Sequence, residues 1–157
     1  MVAASLQPSV EQVWSWLGEV PDPEIPVISV VDLGIVREVR WEGNELVVGV
    51  TPTYSGCPAT SVIAHEIKSA LLSHGVQSFR LETQLSPPWT TDWISDAGKE
   101  CLRAFGIAPP TPHGTSISCP RCASASVAKV SEFGSTPCKA QYRCLDCLEP
   151  FDLFKCL

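Results

Sequence analysis

The sequence has no uninterrupted apolar stretch that approaches membrane-spanning length, so it offers no candidate transmembrane helix. Its opening residues, MVAASLQPSVEQVW, have neither a basic leader nor a long apolar run, and no secretory signal is expected. Cations are scarce: 11 Lys and Arg face 17 Asp and Glu, a net charge of −6. Residues 1–112 hold six cations against thirteen carboxylates, a net −7, whereas residues 113–157 hold five against four. A nucleic-acid reader usually presents a basic face, and five scattered cations do not make one, so nucleic acid is not expected as a partner. There are only three histidines, and no Gly-rich phosphate loop, nucleophile elbow or HExxH motif. No complete catalytic set can be assembled, and a non-catalytic protein is expected.

Cysteine, in contrast, is plentiful, with eight residues. Cys119-Pro-Arg-Cys122 and Cys144-Leu-Asp-Cys147 are two C-x2-C pairs separated by twenty-one residues. In each pair the intervening dipeptide lets the backbone curl so that both sulfurs address one centre. Two such knuckles supply four soft ligands in a tetrahedron, which suits a closed structural Zn2+ site. The competing reading is two disulfides, or thiols that are merely neighbours. In the reducing cytoplasm, the compartment expected here, CxxC pairs hold metal instead. Cys138, six residues before Cys144, and Cys156, nine after Cys147, are alternative ligands or a pair meeting across strands. Four cysteines also serve iron–sulfur clusters, so iron stands second to zinc for the ribbon metal. Cys101 is expected to pack inward.

Hydrophobic periodicity gives the elements. Ser9-Val-Glu-Gln12 is a capping-box pattern, and Val10, Val13, Trp14 and Leu17 form one apolar helical face ended by Gly18. Ile35, Arg37, Val39 and Trp41 alternate with Val36, Glu38 and Arg40; Leu46, Val48 and Val50 alternate again after the turn residues 42–45, which predicts a β-hairpin. Cys57-Pro58 opens a second helix with a stripe of Ile63, Ile67, Ala70 and Leu71, and Phe79, Leu81, Thr83 and Leu85 predict a third strand. A third helix is expected over about 95–105. The order α-β-β-α-β-α predicts an α+β fold, a two-layer sandwich followed by a small β-rich zinc ribbon. The expected domains are residues 1–107, a Pro-rich linker at 108–115 and the ribbon at 116–157. An acidic sheet domain with an exposed edge is also compatible with a homodimer.

Within the first domain the segment Thr51-Pro-Thr-Tyr-Ser-Gly-Cys-Pro58 is a candidate site. Cys57 at or next to a helix N-cap would have its thiolate favoured by free N–H groups. Gly56 lets backbone approach a partner closely, and Thr51, Thr53 and Ser55 offer hydroxyl donors. The bland reading is a small apolar cysteine that fills a helix–sheet gap. Asp22 and Glu24, held on a rigid loop by Pro23, are a second candidate pair for metal, hydrogen-bond or acid–base roles. Their bland reading is that Asp22 caps a turn and Glu24 is solvated. His65 lies about 12 Å along the second helix from Cys57, too far for direct proton transfer. His74 and His113 have no motif around them.

Asp22-Pro-Glu-Ile-Pro-Val27, Asp32-Leu-Gly-Ile-Val36 and the 51–58 segment resemble the small domain shared by SufT and the cytosolic iron–sulfur targeting proteins. With the ribbon residues Phe133-Gly-Ser-Thr136, Cys138-Lys-Ala140, Tyr142-Arg-Cys144, Glu149-Pro-Phe-Asp152 and Phe154-Lys-Cys156, the chain resembles the PaaD family over nearly its whole length. Those proteins are accessories of the bacterial phenylacetyl-CoA 1,2-epoxidase in aerobic phenylacetate degradation. The resemblance implies a maturation role, with Cys57 as a thiol that transiently holds iron or an iron–sulfur cluster. Asp22, Glu24, Thr51, Thr53, Ser55 and Gly56 would support that loop, and Cys119, Cys122, Cys144 and Cys147 would hold Zn2+. The oxygenase of the epoxidase system, or its iron–sulfur reductase, is the implied partner. Two alternatives stay open: a stoichiometric structural subunit without metal transfer, and a thiol redox protein, which the lack of a neighbouring base or resolving cysteine disfavours.

Overall fold

The computed structural model describes residues 7–54, 56–112 and 114–156. It is a mixed α+β chain that divides into two compact units, residues 1–89 and 90–157. Among the described residues no helix is long and apolar enough to cross a membrane.

The first unit is built from α1 (Val10–Leu17), β1 (Val36–Glu42), β2 (Glu45–Val50), α2 (Thr60–Ser73) and β3 (Phe79–Thr83). Helix α1 starts as expected: the Gln12 amide donates to Ser9 Oγ at 3.1 Å, and the Ser9 amide donates to Gln12 Oε1 at 2.9 Å. Val13 and Leu17 are fully buried beneath it. β1 and β2 form the antiparallel hairpin, and β2 and β3 run parallel with α2 as the crossover. Ile63, Ile67 and Leu71 are the buried stripe of α2.

Each face of this three-stranded sheet is sealed differently. On one face Val39, Val48 and Leu81 stand in register, as do Trp41, Leu46 and Phe79. On the other face Arg40 and Arg80 flank Val47 in register, and both guanidiniums are ion-paired to the glutamates around them. The aliphatic stems of the two arginines account for a Val47 that is fully buried on a charged face. A Cβ at Gly49 would lie 2.6 Å from Gln84 Nε2, the far end of a side chain that would have to turn aside.

Two expectations about this sheet need correction. Strict alternation through 35–41 fails, because β1 bulges between Val36 and Glu38, where Arg37 is the extra, exposed residue. The bulge lets Ile35, Val36 and Val39 all be buried. The third strand ends at Thr83, and Leu85 is 67% exposed.

The second unit opens with a single 3-10 turn (Thr91–Trp93) and contains α3 (Asp96–Phe105), β4 (Ile107–Ala108), β5 (Val127–Ser131), β6 (Lys139–Cys144) and β7 (Pro150–Phe154). Ser95 caps α3 by accepting from the Gly98 amide, and Gly106 ends it with φ of 90°. The sheet order is β4-β7-β6-β5, with β4 parallel to β7 and the rest antiparallel. The two compact units divide at Trp89/Thr90, so α3 groups with the ribbon. The cause is long-range pairing: Ile107 and Ala108 add an edge to β7 opposite Asp152 and Leu153, which ties α3 to the ribbon. The ribbon core comprises Ala108, Cys119, Ala140, Tyr142, Cys144, Phe151 and Leu153. Cys101, on α3, is only half-buried.

Candidate functional site

Each C-x2-C pair folds into the same kind of knuckle. In the first, the Ala123 amide donates to Cys119 O at 2.9 Å and the Arg121 amide points at Cys119 Sγ at 3.4 Å. In the second, the Cys147 amide points at Cys144 Sγ at 3.5 Å. The residue after each pair takes a left-handed backbone, Ala123 with φ of 63° and Leu148 with φ of 65°. The Cys119 amide then donates to Ser124 O at 2.8 Å and the Cys144 amide to Glu149 O at 3.0 Å, which closes both turns.

These knuckles bring Cys119, Cys122, Cys144 and Cys147 together, with all four Sγ atoms within 4.8 Å of one another. Cys119 lies 3.8 Å from Cys147 and Cys122 lies 3.5 Å from Cys144, sulfur to sulfur. A disulfide needs about 2.05 Å, and Cys119, Cys122, Cys144 and Cys147 form none. A tetrahedral metal with bonds of about 2.3 Å to sulfur puts its ligands roughly 3.8 Å apart. The donor set and its spacing therefore fit a closed four-thiolate centre. Cys119 and Cys144 are buried while Cys122 and Cys147 are exposed.

The thiols are electrostatically unequal. The Cys147 amide, helped by that of Asp146, stabilises the Cys144 thiolate and holds this group down at about 7. The Glu149 amide favours the Cys147 thiolate, but burial and hydrogen bonds to the neighbouring thiols outweigh it and push Cys147 up to about 12. At Cys122 the Ser124 amide is likewise outweighed, by Cys144 and by burial, and the thiol is raised. Of these three sulfurs Cys144 most readily carries charge, and four thiolates this close are compatible only around a cation.

The other two ribbon cysteines are engaged elsewhere. Cys138 Sγ lies 2.9 Å from Thr136 Oγ1, and Cys156 Sγ lies 3.4 Å from Thr91 Oγ1. Just past the β6–β7 ladder, Cys138 O accepts from the Lys155 amide, which sets Cys138 opposite Lys155 and not Cys156.

In the first unit, Cys57 is half-buried in a turn ahead of α2. Its amide donates to Tyr54 O at 3.3 Å and its carbonyl accepts from the Thr60 amide at 3.2 Å. Ala59 is the N-cap of α2 and has no side-chain cap bond, so Cys57 sits two residues before the N-cap and not at or next to it. Gly56 supplies the required left-handed backbone, with φ of 77°. Thr51 is buried and its amide donates to Ile35 O, Thr53 is half-buried, and Ser55 lies outside the described residues.

Asp22 is 5% exposed, and its Oδ1 accepts from the Glu24 amide at 2.9 Å and the Ile25 amide at 2.8 Å. It thereby closes its own loop, while Glu24 is half-buried. Among the described residues, Cys57, Asp22 and Glu24 do not form a metal-binding group; the four ribbon cysteines do. His65 and His74 are exposed, and His113 lies outside the described residues. Sequence reasoning missed the left-handed Ala123 and Leu148. The signal was present, since a residue just past a C-x2-C pair must turn the chain back.

Residues 110–155 match the PaaD zinc beta ribbon domain, and residues 10–76 match the iron–sulfur cluster assembly protein domain. A protein of Escherichia coli (strain K12), named as a candidate component of 1,2-phenylacetyl-CoA epoxidase, is 47% identical, covering 99% of this chain and 98% of that one. The chain belongs to the PaaD family. This family member also has relatives that match only part of it. The Fe–S protein maturation auxiliary factor YitW of Bacillus subtilis (strain 168) is 34% identical over 59% of this chain and 91% of its own length. A domain of unknown function from Bacillus anthracis has a crystal structure similar to it, with a TM-score of 0.55 at 29% identity, covering 59% of this chain and 90% of that one.

Proposed function

We propose that this chain is a non-catalytic accessory of phenylacetate degradation that matures the iron–sulfur or di-iron centre of a phenylacetyl-CoA epoxidase. One observation carries the reading. The stretch that matches iron–sulfur cluster assembly proteins contains a free, half-buried thiol, Cys57, set beside a glycine in a left-handed turn. Cys57 receives iron or a cluster as cargo and passes it to a component of the epoxidase. Asp22 holds the 22–28 loop in shape by its two amide contacts. Cys119, Cys122, Cys144 and Cys147 hold Zn2+, which cross-links the two knuckles and so supports the ribbon sheet as a docking element.

Cys57→Ser tests this. The variant is expected to keep its fold and its zinc, while epoxidase produced beside it lacks iron or cluster. A fully loaded, active epoxidase from the same cells would refute the mechanism. A second reading, a stoichiometric structural component of the oxygenase, is favoured by the name of the Escherichia coli relative, which places that protein within the epoxidase itself. Co-elution with the oxygenase at a fixed ratio in size exclusion, together with an active Cys57→Ser complex, would select it.

A further inference from the structure

A shallow groove of about 400 Å³ lies in the first unit where the ends of α1 and α2 meet. Trp16, Glu19, Glu66, Ser69, Ser73 and His74 contribute to its lining. The Trp16 and His74 rings stack face to face, with centroids 4.2 Å apart and an interplanar angle of 3°. The stack fixes a half-exposed indole beside the exposed carboxylates Glu19 and Glu66. No Lys or Arg is among the described residues that line the groove.

The unit that carries it is net acidic. Residues 1–89 carry ten Asp and Glu against four Lys and Arg. Two of those four, Arg40 and Arg80, are already ion-paired on the sheet. A rigid aromatic face flanked by uncompensated carboxylates recognises a guanidinium or ammonium, through the ring quadrupole and through ion pairing together. A bound metal ion is a poorer fit, because Glu19, Glu66 and His74 do not converge as a ligand group among the described residues. We propose that this groove docks a basic segment of a partner protein, with one Arg or Lys side chain lying against the Trp16 indole and pairing with Glu19 and Glu66. The proposal does not depend on the role assigned to Cys57.

The full, zinc-loaded chain is titrated against a fluorescein-labelled dodecapeptide of alternating Arg and Gly, with anisotropy read at low ionic strength. Glu19→Gln/Glu66→Gln is expected to weaken binding about fivefold, the scale of two exposed ion pairs. Trp16→Ala is expected to weaken it about threefold, the scale of an exposed cation–π contact. Glu11→Gln/Asp92→Asn makes the same charge change outside the groove and is expected to cost less than about twofold. The Trp16 indole N–H resonance, assigned with Trp16→Phe, is expected to move on saturation. The proposal is overturned by equal weakening from the groove and control pairs, by an indole resonance that stays in place, or by no binding to the unaltered chain. Cys57→Ser is expected to retain the peptide affinity, so failure of this proposal and failure of the Cys57 mechanism are separable.

Discussion

Asp22 can be assigned either to chemistry or to architecture, and its contacts give a magnitude that separates the two. One carboxylate oxygen accepts from two successive backbone amides, and one of them belongs to Ile25, which is 2% exposed. Hydrogen bonds to a charged acceptor contribute about 1.5–3 kcal/mol each, and an unsatisfied buried amide costs about 1–3 kcal/mol. The two bonds share one oxygen and do not add fully, so Asp22→Ala is expected to cost about 2–4 kcal/mol. Asp22→Asn keeps an acceptor of the same shape without the charge, and about 1 kcal/mol is expected to be lost. Against a total stability of about 5–15 kcal/mol for a domain, the alanine variant is crippled and the asparagine variant is not.

Urea unfolding followed by tryptophan fluorescence reads the difference, since four of the five tryptophans lie in residues 1–89. Amide exchange localises it: Glu24 and Ile25 should exchange at least about thirtyfold faster in Asp22→Ala, the factor that corresponds to 2 kcal/mol. If the two variants lose the same stability to within about 0.5 kcal/mol, the capping argument is wrong. If Asp22→Asn keeps its stability yet leaves the epoxidase without metal, the carboxylate has a chemical task besides closing its loop.

The sheet lattice has a pH signature. Glu42 is held below its ordinary value of 4.5, first by the Arg80 hydrogen bond and then by Arg40. A depressed carboxyl stabilises the fold above its unfolded value and loses that contribution as pH falls through the folded value. Unfolding curves taken from pH 6 downward should therefore show a steeper acid loss in the unaltered chain than in Glu42→Gln, with the gap shrinking in high salt. At the second knuckle, Leu148→Gly relieves a left-handed leucine and should stabilise the zinc-loaded ribbon by about 0.5–1 kcal/mol after glycine's entropic cost. Leu148→Val should destabilise it, and the reverse order in thermal melts would contradict the assignment of strain. Chelation of the metal, or Cys122→Ser, should collapse the Tyr142 and Phe151 resonances of the ribbon core while leaving those of Trp41 in place. Loss of both sets together would show that the two units do not fold separately.

Local chemistry is legible where it is local. Ser9 and Gln12 announce their helix because the capping box closes within one turn. Cys119, Cys122, Cys144 and Cys147 announce their centre because each knuckle is built from neighbouring residues and then only two knuckles must meet. What escapes the sequence depends on partners distant along the chain. Arg37 leaves the alternation only because Val36 pairs with Val50 while Glu38 pairs with Gly49, a slip set by the opposing strand. Helix α3 is readable as a helix but its unit is not, since nothing in residues 95–105 encodes that Ile107 and Ala108 will pair with β7 some forty-five residues later. The proline-rich stretch beginning at Ala108 reads as a linker by composition, but its first residue is a strand residue buried in the ribbon core. Cys57 follows the same rule: its glycine and its turn are readable, but its offset from α2 is not, because Ala59 takes helical angles without any capping side chain to mark the boundary. A thiol in a turn before the helix, instead of at its first amides, lacks the N–H groups that would favour its thiolate, so the cargo role proposed for Cys57 is tested with the epoxidase present.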